Sequence, residues 1–139
     1  AGMPEGSRVA QAYKDQDVVV IGVCVKDRRT AFERWIPGNQ SKYPGIHYLH
    51  DPMENNAGSP ITSQYGITGI PMQYIIGRDG KVKASLLGYS EGDVLLEGAL
   101  AKAGVKVDPA IVAKAEEQQR KRQSRRAAPS TAAPAGGQK

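Results

Sequence analysis

The sequence has a single cysteine, one tryptophan and one phenylalanine among its 139 residues. One cysteine, Cys24, excludes a disulfide within the chain and any Cys-x-x-Cys pair, so cysteine usage indicates no redox compartment. No apolar run approaches the roughly 20 residues that a membrane-spanning helix needs. The start, Ala-Gly-Met-Pro-Glu, has neither an initiator methionine nor a basic-then-apolar signal sequence. We therefore expect that a leader has been removed or that the chain is a piece of a longer protein.

The composition that is present fits one domain. The chain is 40% apolar and 24% charged, which is ordinary for a globular protein with a real core. Its net charge of +5 is unevenly placed. Residues 1–107 carry 12 basic and 11 acidic residues, whereas residues 108–139 carry 7 basic and 3 acidic residues. The basic character therefore belongs to the C-terminal segment.

Helical and strand-like patterns alternate along residues 1–107, which predicts the α/β class. The most apolar run, Val18–Val25, has no polar alternation, so we expect a strand inside a parallel sheet that is covered on both faces. The predicted elements are a helix within 3–15, that strand, a helix after Thr30 that Pro37-Gly38 ends or kinks, a strand at 46–49, a short helix capped by Ser59, a hairpin of strands 72–77 and 81–87, and a helix at 91–103.

The composition changes after Val107. Residues 108–126 predict a basic charged helix or linker. Residues 127–139 are rich in alanine, proline and glycine and predict a disordered tail. The run 120–126 suits nucleic acid or an anionic surface. Nothing else in the sequence supports base readout, so we favour a solvated segment and predict no specific nucleic-acid binding.

Two segments carry a family resemblance. In residues 65–82, a Gly-Ile-Pro runs straight into an apolar strand, turns at Asp79-Gly80 and returns as a second strand. This pattern resembles the proline loop and terminal hairpin of thioredoxin-fold proteins. Residues 1–5, followed after eleven residues by Asp17–Val23, are similar to the stretch directly after the Cys-x-x-Cys of TlpA-like thiol-disulfide oxidoreductases. The order and separation of the two segments extend the resemblance over about residues 1–104.

The resemblance implies a thioredoxin-like fold over residues 1–107, with a mixed sheet, a C-terminal β-hairpin and a helix. It implies that the first strand and the active-site loop are missing, with the Cys-x-x-Cys expected upstream of Ala1. It also implies a cis bond before Pro71 and a substrate groove formed by Ile70 and Pro71. Gly2 departs from the family, whose members commonly carry a glutamate there that influences the redox cysteines. Because the Cys-x-x-Cys is expected upstream of Ala1, no catalytic residue is expected within the chain.

The function that the resemblance implies is protein disulfide reduction or exchange in the periplasm or cell envelope. The partners would be protein thiols or disulfides and a redox partner protein, without a cofactor, and any membrane attachment would come through the missing N-terminus. This chain alone is expected to be inactive. Two alternatives stay open, a non-catalytic thioredoxin-like binding module and a peroxiredoxin-related antioxidant protein. In the family's fold the missing strand separates Val18–Val25 from Met72–Ile76, so we expect two unpaired apolar edges and a chain that is aggregated, strand-swapped or poorly cooperative in unfolding.

Three further side chains invite a chemical role. Cys24 lies within the apolar strand, and the nearest basic residue in the sequence is Lys26. This setting favours an inert core thiol. His47 and His50, with Asp51 beside them, suggest a metal site. Positions three apart in a strand point to opposite faces, so we interpret them as ordinary strand-end histidines and predict no metal site.

Overall fold

The computed structural model describes residues 2–54 and 58–128, and it has the mixed α/β composition that the sequence predicts. Of the helices in these residues, none is both long and apolar enough for a membrane crossing. The elements are α1 (Met3–Ala12), a 3-10 turn (Lys14–Gln16), β1 (Val20–Cys24), α2 (Arg29–Asn39), β2 (Ile46–His50), α3 (Pro60–Gln64), β3 (Met72–Ile76), β4 (Val82–Leu87), α4 (Leu95–Lys102) and α5 (Pro109–Ala127).

The strands form two separate two-stranded sheets in the described residues. Strand β1 pairs with β2 in parallel, from Val20 opposite Ile46 onwards, and β3 pairs with β4 as the predicted antiparallel hairpin. The described strands do not join into one mixed sheet, since β1 and β3 have no hydrogen bonds between them, which is the gap expected where the intervening strand is missing. A cleft lies between residues 15–19, which directly precede β1, and the end of β3, and Leu100 and residues 103–106 form its third wall.

The core covers one face of both sheets. It is built by α1 and α4 against β3, from Val9, Tyr13, Ile75, Leu96, Ala99 and Leu100, with half-buried residues of β1 and β4 at its margin. On the opposite face of β1 and the residue before it, Val19, Ile21 and Val23 are 65%, 56% and 41% exposed. The prediction that this strand is covered on both faces is therefore wrong, because the described helices bury only one of them.

The segment before α4 differs from the prediction. The helix begins at Leu95 rather than at Glu91, because the preceding residues form a turn. Gly88 and Gly92 both have positive φ there, and the Asp93 carboxylate accepts the Ser90 backbone N–H at 3.1 Å. Helix α2 runs two residues past Pro37, so Pro37-Gly38 does not end it, which was one of the two predicted alternatives. By contrast, Ser59 caps α3 as predicted, since its hydroxyl accepts the Thr62 N–H.

The basic segment after Val107 is a helix that packs on α4. A Cβ built on Gly98 would lie 2.5 Å from the Cβ of Ala115, so the two helices approach each other closely there. The Gln118 side chain accepts the Val94 N–H at 2.9 Å and donates to the Gly92 carbonyl at 3.2 Å. Helix α5 is therefore part of the fold. Of the predicted tail 127–139, Ala127 and Ala128 end the helix, and the remainder lies outside the described residues.

Candidate functional site

The start of α1 meets the proline loop. The Ile70–Pro71 peptide bond is cis, as the resemblance predicts. Gly2, which precedes α1 with a φ of +82°, packs beside Pro71, and a Cβ on Gly2 would lie 3.7 Å from two side-chain atoms of that proline. Ile70 is 66% exposed, although it is a large apolar side chain. A helix N-terminus, a proline and a bare apolar side chain are thus brought together at one edge of the molecule, which we call the proline edge (Gly2, Ile70 and Pro71).

Neighbouring elements hold the proline edge in position. The Gly88 N–H donates to the Pro71 carbonyl at 2.9 Å, which ties the loop to the end of β4. The Tyr74 hydroxyl donates to the Tyr65 carbonyl, and the two rings pack edge to face with centroids 5.1 Å apart. The loop is therefore anchored on both sides, and Ile70 is left outside the packing.

A buried carboxyl lies in the first turn of α1. Glu5 is 3% exposed and accepts a hydrogen bond from the Gln73 side chain on β3 at 3.1 Å. The pKa of Glu5 is raised, chiefly by burial and further by the charge of Glu97, while the Gln73 hydrogen bond opposes the shift. In the sequence Glu5 stands out only as part of the motif at residues 1–5, because no local pattern separates a buried glutamate from an exposed one.

A second buried carboxyl is held by an ion pair between α1 and α4. The Arg8 guanidinium lies 2.6 Å from the Glu97 carboxylate and also donates to the Asp93 carbonyl at 3.3 Å. Glu97 is 3% exposed, and its other oxygen has no hydrogen-bond partner within the described residues. Arg122 of α5 pairs with the Asp93 carboxylate at 2.6 Å. These contacts join α1, α4 and α5.

The cleft next to the start of β1 and the end of β3 has a volume of about 470 Å³. Residues 15–19 line it from one side, residues 74–78 from another, and Leu100 with residues 103–106 from a third, with Asp17 and Arg78 paired at 3.6 Å. In the described part of the chain each bordering strand has one partner, so the N–H and C=O groups of its other edge have none in a sheet. Such edges bind an extended segment through main-chain hydrogen bonds.

A second cleft, of about 450 Å³, lies between the start of α1, the end of β1 and α2. Cys24 lies on the wall of this cleft and is half-buried. The expectation of a core thiol is therefore not met. Burial, and then the Asp27 carboxylate, raise the pKa of this thiol, which favours the unreactive protonated form. The other walls are apolar and aromatic, with Met3, Val23, Phe32, Trp35 and Tyr48.

The histidines do not converge on Asp51. His50 contacts the Asp27 carbonyl through Nε2 at 2.9 Å and packs against Phe32, and His47 is exposed. Asp51 is buried and accepts hydrogen bonds from the Ser59 hydroxyl and the Met53 N–H. Across residues 2–54 and 58–128, no three potential ligands come close enough to hold a metal ion.

Comparison with known proteins adds no relative. No family model, no curated protein and no solved structure matches the chain. The TlpA-like assignment therefore stays a prediction that depends on the two sequence motifs.

Proposed function

We propose that this chain is the larger part of a TlpA-like thiol-disulfide oxidoreductase with a thioredoxin-like fold. The observation that carries the proposal is that β1 and β3 each have one unpaired edge in the described residues, with a cleft between the residues before β1 and the end of β3 and a helix that starts at the proline edge. One additional strand between β1 and β3, with a loop leading into α1, would join the two sheets into one mixed sheet.

The direction of that strand follows from the packing. The residues directly before β1 and the end of β3 line the same cleft, whereas Gly2 packs beside Pro71, which directly precedes β3. A Cβ built on Gly22, in the middle of β1, would lie 3.7 Å from the Met3 side chain, so the start of α1 lies against β1 beyond the cleft. A strand that lies between β1 and β3 and then enters α1 must therefore run parallel to β1 and antiparallel to β3. Its connecting loop would lie against Pro71.

That location suits disulfide chemistry. A thiol on the loop would sit at the N-terminus of α1, where the helix dipole and unpaired N–H groups lower a thiol pKa. Its thiolate attacks one sulfur of a substrate disulfide, so a mixed disulfide forms and the other substrate sulfur leaves as a thiolate. A second thiol on the loop attacks the mixed disulfide and releases the substrate as a dithiol. The loop becomes the oxidised disulfide, and a dithiol of the redox partner protein reduces it again.

Ile70 and Pro71 have the positioning role in this proposal. Ile70 is exposed, and its backbone precedes the proline, so it is available to an extended substrate segment. The tie between Gly88 and the Pro71 carbonyl fixes this edge relative to α1. The substrate disulfide is thereby held beside the loop, which is the orientation that the exchange reaction needs.

The deciding experiment is to read the coding sequence that lies in frame before Ala1. We expect an apolar strand followed by Trp-Cys-x-x-Cys that ends immediately before Ala1. A stop codon or an unrelated sequence there would refute the oxidoreductase and favour the non-catalytic binding module. A single cysteine in a Pro-x-x-x-Thr/Ser-x-x-Cys context would instead identify the peroxiredoxin-related alternative.

A further inference from the structure

Every charged residue in the C-terminal half of α5 is basic. We call residues 120–126 the basic end of α5; five of these seven residues are lysine or arginine and none is acidic. Lys121 and Arg122 are paired, with Glu117 and Asp93 respectively. Arg120, Arg125 and Arg126 are exposed and have no ion pair among the described residues. The helix dipole favours cations in the last turn, but it does not account for Arg120.

The basic end of α5 lies next to the proline edge. Arg122 donates to the Leu87 carbonyl at 3.3 Å, and the next residue, Gly88, donates its N–H to the Pro71 carbonyl at 2.9 Å. The pair between Arg122 and Asp93 and the contact of Gly98 with Ala115 hold the helix in this place. Leu87 at the end of β4 and Gly88 after it therefore connect the Arg122 guanidinium to Pro71, the residue that follows the exposed Ile70.

We propose that the basic end of α5 is a docking surface for acidic protein segments that bind at the proline edge. This inference rests on the proposed function, because it defines the substrate or partner class of the same site. The segment that fits is extended, with an apolar residue against Ile70 and aspartate or glutamate residues toward Arg125 and Arg126. An exposed aliphatic side chain such as Ile70 favours a protein segment over a nucleic acid, which binds through phosphates and stacked bases.

The test uses the complete 139-residue chain and short fluorescent peptides, with binding measured by anisotropy. The peptides share an apolar centre and differ in their flanks, which are acidic, amide or basic. At about 0.01 M salt, where screening extends over about 30 Å, we expect the acidic peptide to bind about tenfold more tightly than the amide peptide. At about 1 M salt the difference should disappear, because the screening length falls to about 3 Å.

Charge reversal locates the effect. The double variant Arg125→Glu, Arg126→Glu should lose the preference for the acidic peptide and keep the binding of the amide peptide. The control, Arg34→Glu, Lys42→Glu, makes the same change in net charge at exposed positions outside α5 and should keep the preference. A third variant, Ile70→Asp, removes the apolar contact and should weaken the binding of every peptide.

Several outcomes overturn the docking surface. Equal binding of the acidic and amide peptides, equal loss in both double variants, or no peptide binding at all would each do so. Tighter binding of duplex DNA than of the acidic peptide would make the basic end of α5 a nucleic-acid surface instead. If the acidic and amide peptides bind equally, and Ile70→Asp abolishes the binding of both, only this inference is overturned. The oxidoreductase proposal is decided separately, by the coding sequence before Ala1.

Discussion

The contact between α4 and α5 can be tested with one methyl group. In Gly98→Ala the new Cβ would lie 2.5 Å from the Cβ of Ala115, roughly 1 Å closer than the ~3.5 Å at which carbon atoms attract each other. Helix α5 must move away, or α4 must bend. Overpacking of this kind costs about 1–3 kcal/mol, while alanine gains about 1 kcal/mol over glycine in a helix. We therefore expect a net loss of about 0–2 kcal/mol in the free energy of unfolding.

The chain has a matched control for this substitution. Gly38 is also helical, but a Cβ built on it meets nothing within 4 Å. Gly38→Ala should therefore stabilise the protein by up to about 1 kcal/mol, less if the end of α2 frays. The difference between the two alanine variants isolates the overpacking cost of about 1–3 kcal/mol.

The assay is urea unfolding at low protein concentration, with amide hydrogen exchange to locate the change. In Gly98→Ala, exchange should accelerate in α5 and at the Val94 N–H, which Gln118 caps. Adding Ala115→Gly removes the opposing Cβ and should recover most of the overpacking cost in a double-mutant cycle. If Gly98→Ala stabilises the protein as much as Gly38→Ala does, the close approach of the two helices is wrong.

Two further substitutions probe the buried carboxyl and the open face of β1. The folded state raises the pKa of Glu5, so above about pH 4.3, where an unfolded glutamate ionises, folding binds an extra proton and stability falls as the pH rises. Glu5→Gln removes this fall, so the free energy of unfolding of the variant relative to the original chain should increase from about pH 4 to about pH 7. Urea unfolding measures this, and parallel stability curves for the two proteins would contradict the prediction. Ile21→Lys places a charge on the exposed face of β1 and should reduce self-association in sedimentation velocity, whereas Thr30→Lys at an exposed helical position should not. A monomeric original chain with a sharp two-state melt would refute that expectation.

Local sequence patterns predicted the elements that local physics determines. The hairpin at Asp79-Gly80 follows from a dipeptide that tolerates positive φ, and Gly80 has a φ of +77°. The Ser59-Pro60 start of α3 follows from the hydrogen-bond capacity of a serine cap. The α/β class followed from the alternation of the two periodicities.

The exposure of β1 was not predictable in the same way. An unbroken apolar run is typical of a strand with two covered faces, but it does not say which elements supply the cover. Here α1 and α4 bury one face, and Ile21 on the other remains 56% exposed. In the described residues, β1 therefore has an apolar face that no helix covers.

Long-range contacts account for the rest. The burial of Glu5 depends on Gln73, 68 residues away, and the pair of Arg8 with Glu97 spans 89 residues. The docking of α5 depends on one glycine facing one alanine and on two polar side chains, Gln118 and Arg122. No periodicity within a short window encodes such pairs, so the sequence predicted a basic helix or linker and could not place it beside the proline edge.

The most direct measurement of the central claim is insulin-disulfide reduction by the chain after an apolar strand and a Trp-Cys-Gly-Pro-Cys loop have been joined before Ala1. Amide exchange should show new protection on both β1 and β3, since the added strand would pair with each edge. We expect turnover above that of the matched variant in which serine replaces both cysteines of the loop. Protection of both strands without turnover above the serine variant would contradict it.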